Sequence, residues 1–486
     1  MSLTTAYRPP PGSIPTLPVP DPSGWRRLHL IGVGGAGMRQ IARMLLARGV
    51  AVTGSDLKDS AGVASLREAG ATVFVGHRAE QVGRPDAVVV SSAVPERNPE
   101  LRAAREAGIE VLTRAQVLVA LMRGARGVAI AGTHGKTSTT SLVSVILTRA
   151  GLSPSYIVGG DLNESGTGGA HGDGDLFVVE ADESDGTFLL MHPEIAVVTN
   201  IEGDHLNFYG TPEQLDAAFA EFAGRATTVI ACWDDPGVRR VFDGDGRFTG
   251  RLVRYGSDPN LDLDLRLVSP RQEGRVTIGK VEVDGCVAEV RVGLPGLHYL
   301  LNAVAALGVG LALGVPLEEA AQSVASFEGV RRRFERRGIA AGAEFVDDYA
   351  HHPTEVGATI RAAQEAEPGR RVVAVCQPHR YSRISVLWRE LGEALVDADV
   401  AIVTDVYGAS EEPVPGVTGK LVLNALTEAA PRKPAVYLKR RSDVAPFLAD
   451  FVRDGDLVVT LGCGDIGGAC GETLDLLRAR GEEVTP

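Results

Sequence analysis

Six consecutive residues, Gly132-Thr133-His134-Gly135-Lys136-Thr137, carry the sharpest chemistry in this chain. They follow the apolar run Val128 to Ala131 and open a helix-forming stretch from about Lys136 to Ala150, so the pattern predicts a strand, a tight turn and a helix N-terminus. A polyphosphate is held in such a place. Glycines let backbone N–H groups converge, the helix start attracts anions, and a lysine ammonium neutralises β/γ oxygens. Thr137 is then the hydroxyl for Mg2+. The spacing is shorter than G-x-x-x-x-G-K-[ST], and a glycine-rich turn can be purely structural, but the adjoining Lys-Thr pair favours nucleotide binding.

Two acidic clusters end the next two predicted strands: Glu180-Ala181-Asp182-Glu183-Ser184-Asp185 and Asn200-Ile201-Glu202-Gly203-Asp204-His205. In open α/β sheets ligands bind at the carboxyl ends of the strands. Hard cations prefer oxygen, so Glu180 is the first choice for a Mg2+ ligand. A lone histidine after a strand is more often a capping or packing residue, and His205 is a metal candidate only through its position beside the cluster.

A second glycine-rich turn, HLIGVGGAGM from His29 to Met38, also follows a strand and opens a helix, and Asp56 ends the next strand. This is a dinucleotide fingerprint, which raises a nicotinamide oxidoreductase as one reading. The same backbone serves any diphosphate, so the turn reports a pyrophosphate rather than redox chemistry.

The elements that must position these groups alternate. LHLIGV, VAVTGSD and AVVVSSAV read as strands, with helical stretches at Met38 to Arg48 and Ala64 to Ala69, which is the signature of parallel βαβ units. LFVVEA and IAVVTN extend a second series. Between about Thr228 and Gly293 short strands with turn residues suggest an inserted antiparallel β region, and Leu300 to Leu313 reads as an Ala-rich helix. EFVDDY, RVVAVCQ, VAIVTDVY and DLVVTLG make a third α/β set. The 486 residues suit about three domains.

A net charge of −13 argues against nucleic acid as a partner, because phosphate contacts need clustered Lys and Arg. The five cysteines, Cys232, Cys286, Cys376, Cys463 and Cys470, show neither metal-ligand nor disulfide spacing and read as thiols of a reducing cytosol. No window reaches the roughly 18 apolar residues a membrane span needs, so a cytoplasmic location without membrane partners is expected. Residues 1–24 are rich in proline and are expected to be a disordered tail.

GGAGM, GTHGKT, EADESD, TNIEGDH, the PG-x-H-x-x-x-N run at Pro295 to Asn302, Arg332-Arg333-Phe334, DDYAHHPTE at Asp347 to Glu355, QPHRYSR at Gln377 to Arg383 and the stretch Val406 to Gly416 occur in that order over nearly the whole chain. Together they resemble the Mur ligases, in their alanine-adding branch. The resemblance implies an α/β chain of three domains. These are an N-terminal Rossmann-like domain for a UDP-sugar (residues 25–123), a central P-loop ATPase-like domain with a parallel sheet and a small antiparallel region (124–333), and a C-terminal Rossmann-like domain (334–486) that closes on ATP and binds the amino acid.

It further implies that Gly132, Thr133, His134, Gly135, Lys136, Thr137 and Ser138 bind ATP together with His298, Asn302, Arg333 and Asp348. Thr137, Glu180 and His205 serve two Mg2+ ions. Gly34, Gly35, Ala36, Gly37, Met38, Asp56, His77 and Ser92 bind the UDP-sugar. Tyr349, His351, Arg380 and Arg383 surround the amino acid, and Lys136, His205, His351, Arg380 and Arg383 are the catalytic set. Two guanidinium groups three residues apart suit a carboxylate or a developing phosphate charge, although such a pair can also be a solvated basic turn. Two departures from the family pattern stand out: Tyr299 occupies a place where many members carry Asn, and no lysine falls between Lys136 and Lys280 to supply the carbamylated lysine some relatives use.

The expected reaction is ATP-dependent amide formation between the lactyl carboxylate of UDP-N-acetylmuramate and L-alanine through an acyl phosphate, by a monomer or weak homodimer. Alternatives are the tripeptide-recycling ligase of the same family, a nicotinamide oxidoreductase that leaves GTHGKT unexplained, and a non-catalytic nucleotide-binding regulator.

Overall fold

The computed structural model describes residues 17–91, 94–163, 165–244, 248, 250–409 and 411–485. Its first sheet is built from β1 (Arg27–Ile31), β2 (Ala51–Asp56), β3 (Thr72–Val75), β4 (Ala87–Val90) and β5 (Glu110–Thr113), all parallel, in the order β3-β2-β1-β4-β5. The strand order reverses at β1, and the turn that leaves its carboxyl end is the GVGGAG segment, the standard crevice position in a doubly wound sheet. Helix Ala36–Ala47 follows that turn directly. β3 and β5 escape a sequence reading because each has four residues, with apolar runs of only three and two.

Residues 17–24, assigned to the tail from composition, are held down. Pro22–Gly24 form a 3-10 turn, and the carbonyls of Pro18 and Val19 accept hydrogen bonds from the side chains of Gln116 and Arg123.

The central sheet comprises β6 (Arg126–Ala131), β7 (Ser155–Ile157), β8 (Gly169–Ala170), β9 (Leu176–Glu180), β10 (Ile195–Val198), β11 (Thr228–Cys232), β12 (Arg251–Gly256) and the start of β13 (Leu265–Glu273), ordered β8-β7-β9-β6-β10-β11-β12-β13. The expected antiparallel region therefore begins too early in the sequence reading. β11 pairs parallel with β10, β12 pairs parallel with β11, and β13 first pairs parallel with β12. The crossover between β11 and β12 is the helix Pro236–Phe242, opened by Pro at its first position and capped by Asp235, whose carboxylate accepts from the Val238 N–H at 2.7 Å. Seven residues give no readable helical period. Only β13, β14 (Val276–Val283) and β15 (Cys286–Val292), joined through left-handed glycines at Gly274 and Gly285, behave as the predicted hairpins.

The third sheet has β16 (Glu335–Ala340), β17 (Ala343–Asp348), β18 (Arg371–Cys376), β19 (Val400–Thr404), β20 (Ala435–Leu438), β21 (Asp456–Leu461) and β22 (Val484–Thr485) in the order β20-β19-β18-β21-β17-β16-β22. The five strands from β20 to β17 are parallel, and β16 is antiparallel to β17 and β22.

The chain divides into two compact units. One contains Met1–Arg266, Glu282–Val287 and Val304–Val324, and the other Leu267–Val281, Ala288–Ala303 and Ala325–Pro486. A hydrophobic cluster from Trp25 to Phe242 fills the first, and one from Ala340 to Leu477 fills the second. Among the described residues no helix is long and apolar enough to cross a membrane.

Candidate active site

In the first unit β6 ends at Ala131, and the chain turns through Gly132 (φ 134°) and Gly135 (φ 80°) into the helix Lys136–Arg149. Both glycines hold backbone that a side chain would strain. The turn is pinned from the next strand: Asn200 accepts the His134 N–H at 2.7 Å, and the Thr199 hydroxyl donates to the His134 carbonyl at 2.6 Å.

Lys136 Nζ folds back to the Gly132 carbonyl at 2.6 Å and reaches both oxygens of Glu183, at 3.0 and 2.8 Å. Burial pulls this ammonium's pKa down, but Glu183, Asp182 and Glu180 outweigh it and leave the pKa raised. Burial pushes the Glu183 carboxyl up to about 7 against the pull of Lys136. His205, in the left-handed region at φ 56°, lies 3.8 Å from Glu183 and 3.4 Å from Asp204. Glu180 accepts the Gly159 N–H at 2.7 Å. Thr137 is buried on the first turn of the helix.

The first glycine-rich turn runs Gly32 to Gly35 into the helix Ala36–Ala47. Asp56 accepts the Gly34 N–H at 2.9 Å, and a Cβ on Gly34 would lie 2.9 Å from the same oxygen. Asp56 therefore shapes the turn itself. His77 Nδ1 lies 2.9 Å from the Ser55 hydroxyl and 3.2 Å from Glu100, a carboxylate with no solvent exposure. Met38 is buried in the hydrophobic core.

One cation joins these two regions. Arg114, at the start of the helix Arg114–Leu121, donates to Asp182 at 3.1 Å, and a Cβ added to Gly37 would lie 2.8 Å from its other terminal nitrogen. Burial lowers its pKa, but Asp182, Asp185 and Glu180 more than reverse that.

In the second unit, Asp348 ends β17 and accepts the backbone N–H groups of Phe334 at 2.7 Å and Ala350 at 2.8 Å. Burial nevertheless pushes its carboxyl up to about 6, against the pull of Arg333. The same carboxylate faces Tyr299, whose ring lies 4.3 Å from that of His298. Burial drives the His298 imidazole down to about 4, so it is neutral at pH 7. Arg332 and Arg333 stand over the Tyr349 ring at 5.1 and 5.0 Å. From Tyr349 a ladder of rings leads to His351 (5.7 Å), His379 (5.6 Å) and Tyr407 (5.9 Å), and Arg383 donates to His379 Nδ1 at 3.1 Å.

Three family models match in chain order: the Mur ligase family catalytic domain at residues 27–126, the Mur ligase middle domain at 130–310 and the Mur ligase glutamate ligase domain at 332–464. The chain belongs to the Mur ligase family. It is 49% identical to the UDP-N-acetylmuramate--L-alanine ligase of Saccharopolyspora erythraea over 90% of this chain and 91% of that one. It is 44% identical to the enzyme of the same name from Mycolicibacterium smegmatis, over 96% and 98%. Among solved structures it resembles the UDP-N-acetylmuramate-alanine ligase of Thermotoga maritima, with a TM-score of 0.79, 27% identity and coverage of 93% and 99%. A murein peptide ligase from Psychrobacter arcticus shares the fold at TM-score 0.72 and 23% identity, covering 93% and 98%.

On this Mur ligase frame the expected ATP loop, Gly132 to Ser138, forms one strand-to-helix turn. His298, Asn302, Arg333 and Asp348 fall together in the second unit, as do Tyr349, His351, Arg380 and Arg383. Arg380 sits at the start of the helix Tyr381–Ala394 with φ 62°, and its backbone N–H donates to the Tyr407 carbonyl at 2.8 Å. Ser92 lies outside the described residues. Two groups were missed as individuals. Glu183 occupies Lys136, and its signal was the third acid of EADESD. Arg114 lies in a plain helix start, and nothing in its spacing marks it.

Proposed function

We propose that this Mur ligase joins the lactyl carboxylate of UDP-N-acetylmuramate to L-alanine at the cost of ATP, in the cytoplasm, as a step of peptidoglycan precursor synthesis. The observation that carries the reading is Lys136, set at a glycine-lined helix start inside a carboxylate cluster that Arg114 ties to the sugar-side turn.

A carboxylate oxygen of the substrate attacks the γ-phosphorus, the bond from that phosphorus to the β-bridging oxygen breaks, and ADP leaves with an acyl phosphate formed. The amine of L-alanine then adds to the activated carbonyl and loses a proton. The tetrahedral intermediate collapses, expelling phosphate and leaving the amide. Positioning and charge neutralisation supply most of such a transfer.

Lys136 gives up Glu183 for the β/γ-phosphate oxygens when the nucleotide enters. Arg114 holds the lactyl carboxylate, which must stand between the diphosphate turn and the phosphoryl group it attacks. His298 and Asn302 take the adenine side, and Arg333 and Asp348 meet the rest of the nucleotide. Tyr349, His351, Arg380 and Arg383 receive the amino acid.

Thr137, Glu180 and His205 would hold two Mg2+ ions. The fit is in the donor set: Glu180, Asp182 and Glu183 face Lys136, Glu183 and Asp204 flank His205, and carboxylate oxygens suit a hard cation. Mg2+ held there would supply charge neutralisation at the phosphate oxygens.

The test is an ADP-release assay with UDP-N-acetylmuramate and either L-alanine or the recycled tripeptide. Turnover with free L-alanine is expected, and turnover with the tripeptide alone refutes the reading. Lys136→Ala should abolish ligation while UDP-sugar affinity stays within about twofold.

A further inference from the structure

The five cysteines have no metal-ligand spacing along the chain, yet folding places one of them beside two histidines. His351, Cys463 and His379 lie two or three residues beyond the carboxyl ends of β17, β21 and β18, which are neighbours in the third sheet. One donor atom from each lies within 4.8 Å of the other two, and all three residues are partly exposed, so an ion can enter. A tetrahedral zinc centre, with bonds of about 2.0–2.3 Å, separates its donors by roughly 3.5 Å, so side-chain shifts of about 1 Å close the set.

The surroundings match such a centre. His351 Nδ1 donates to the Tyr349 carbonyl at 3.0 Å and stands 3.2 Å from the Glu355 carboxylate. That is the outer hydrogen bonding a ligating imidazole needs to present its other nitrogen. At His379, Arg383 donates to Nδ1 at 3.1 Å, so a cation that takes this nitrogen takes it from Arg383.

We propose that His351, His379 and Cys463 form a site for Zn2+ or an equally soft divalent cation, and that the bound cation excludes the amino-acid substrate. The second half rests on the reading that places L-alanine at His351 and Arg383. One thiolate with two imidazoles selects zinc-like ions, whereas Mg2+ requires oxygen donors and does not compete. The thiolate, not the thiol, ligates a metal, so binding expels the Cys463 proton.

The experiment uses the full-length enzyme in excess Mg2+, titrated with Zn2+ or Co2+. One Co2+ per chain is expected to bring a thiolate-to-cobalt charge-transfer band that Cys463→Ala and Cys463→Ser both lack. Zn2+ should inhibit ligation in competition with L-alanine, reversibly on chelation. In both variants that inhibition should weaken at least tenfold, while metal-free kcat and KM remain those of the parent. Equal inhibition of parent and variants, or no Cys463-dependent band, overturns the metal site. A Cys463-dependent band with inhibition indifferent to L-alanine overturns the exclusion and, with it, the placement of the amino acid.

Discussion

Arg114 illustrates how charge placement decides a residue's role. An arginine kept beside Asp182 and among Asp185 and Glu180 has ample counter-charge, so its remaining donors are available to an anion without leaving it unpaired. A charge-assisted hydrogen bond to a carboxylate contributes about 1.5–3 kcal/mol, or roughly ten- to hundredfold in affinity. Arg114→Ala should therefore weaken UDP-N-acetylmuramate binding by that factor and barely change binding of UDP-N-acetylglucosamine, which lacks the lactyl group. Equal losses for both ligands, read by calorimetry, refute the carboxylate role.

His298 makes a different test at the same scale. Its folded pKa of about 4 lies below the ordinary 6.5, so the unfolded chain binds the proton first as pH falls. Its stabilisation is complete above pH 6.5 and is lost on the way down to about pH 4, a change of about 3 kcal/mol. Glu183 and Asp348, raised to about 7 and 6, work with the opposite sign and favour the folded state at low pH. The difference between parent and His298→Asn isolates the histidine: the parent should lose stability relative to the variant between pH 6.5 and 4 in urea titrations.

At the scale of elements, the two glycine turns were legible because each combines a buried apolar strand, glycines and a helix start within a dozen residues. The parallel strands β11 and β12 were read as part of a hairpin region because their seven-residue crossover helix is shorter than two full turns. The four-residue strands β3 and β5 depend on neighbours rather than on their own pattern. The hydrogen bonding inside the turns was not legible either, since Asp56 and Glu183 satisfy local partners that no linear spacing encodes.

Gly132 shows how little freedom the phosphate turn has. It sits at φ 134°, and a Cβ there would lie 2.0 Å from the Thr199 hydroxyl oxygen, the group that holds the His134 carbonyl. Gly132→Ala should strain the turn by about 1–3 kcal/mol. ATP affinity should fall at least tenfold while the UDP-sugar still binds. Wild-type ATP affinity in this variant, measured by titration, would show that the turn does not form the phosphate cradle.

Across the whole molecule, the proposed nucleotide residues are divided between the compact units. Lys136 and Thr137 belong to the first, and His298, Asn302, Arg333 and Asp348 to the second. The division cuts through the stretch matched by the middle-domain model, because Leu267–Val281 and Ala288–Ala303 cluster with the C-terminal residues. Arg275 accounts for part of this, pairing with Glu344 at 2.7 Å and Glu367 at 3.0 Å. A ligand stabilises the unit that binds it against any opening that releases it, by about 2.7 kcal/mol at a hundredfold excess over Kd. UDP-N-acetylmuramate alone should therefore slow amide exchange around β1, β2 and the helix Ala36–Ala47, without protecting β17. Mg-ADP alone should slow it in two separate places, the turn 132–137 and the segments 297–302 and 332–349. Protection confined to the first unit would leave Lys136 as a phosphate ligand but remove His298, Asn302, Arg333 and Asp348 from the nucleotide, and the buried neutral imidazole would then be a packing residue.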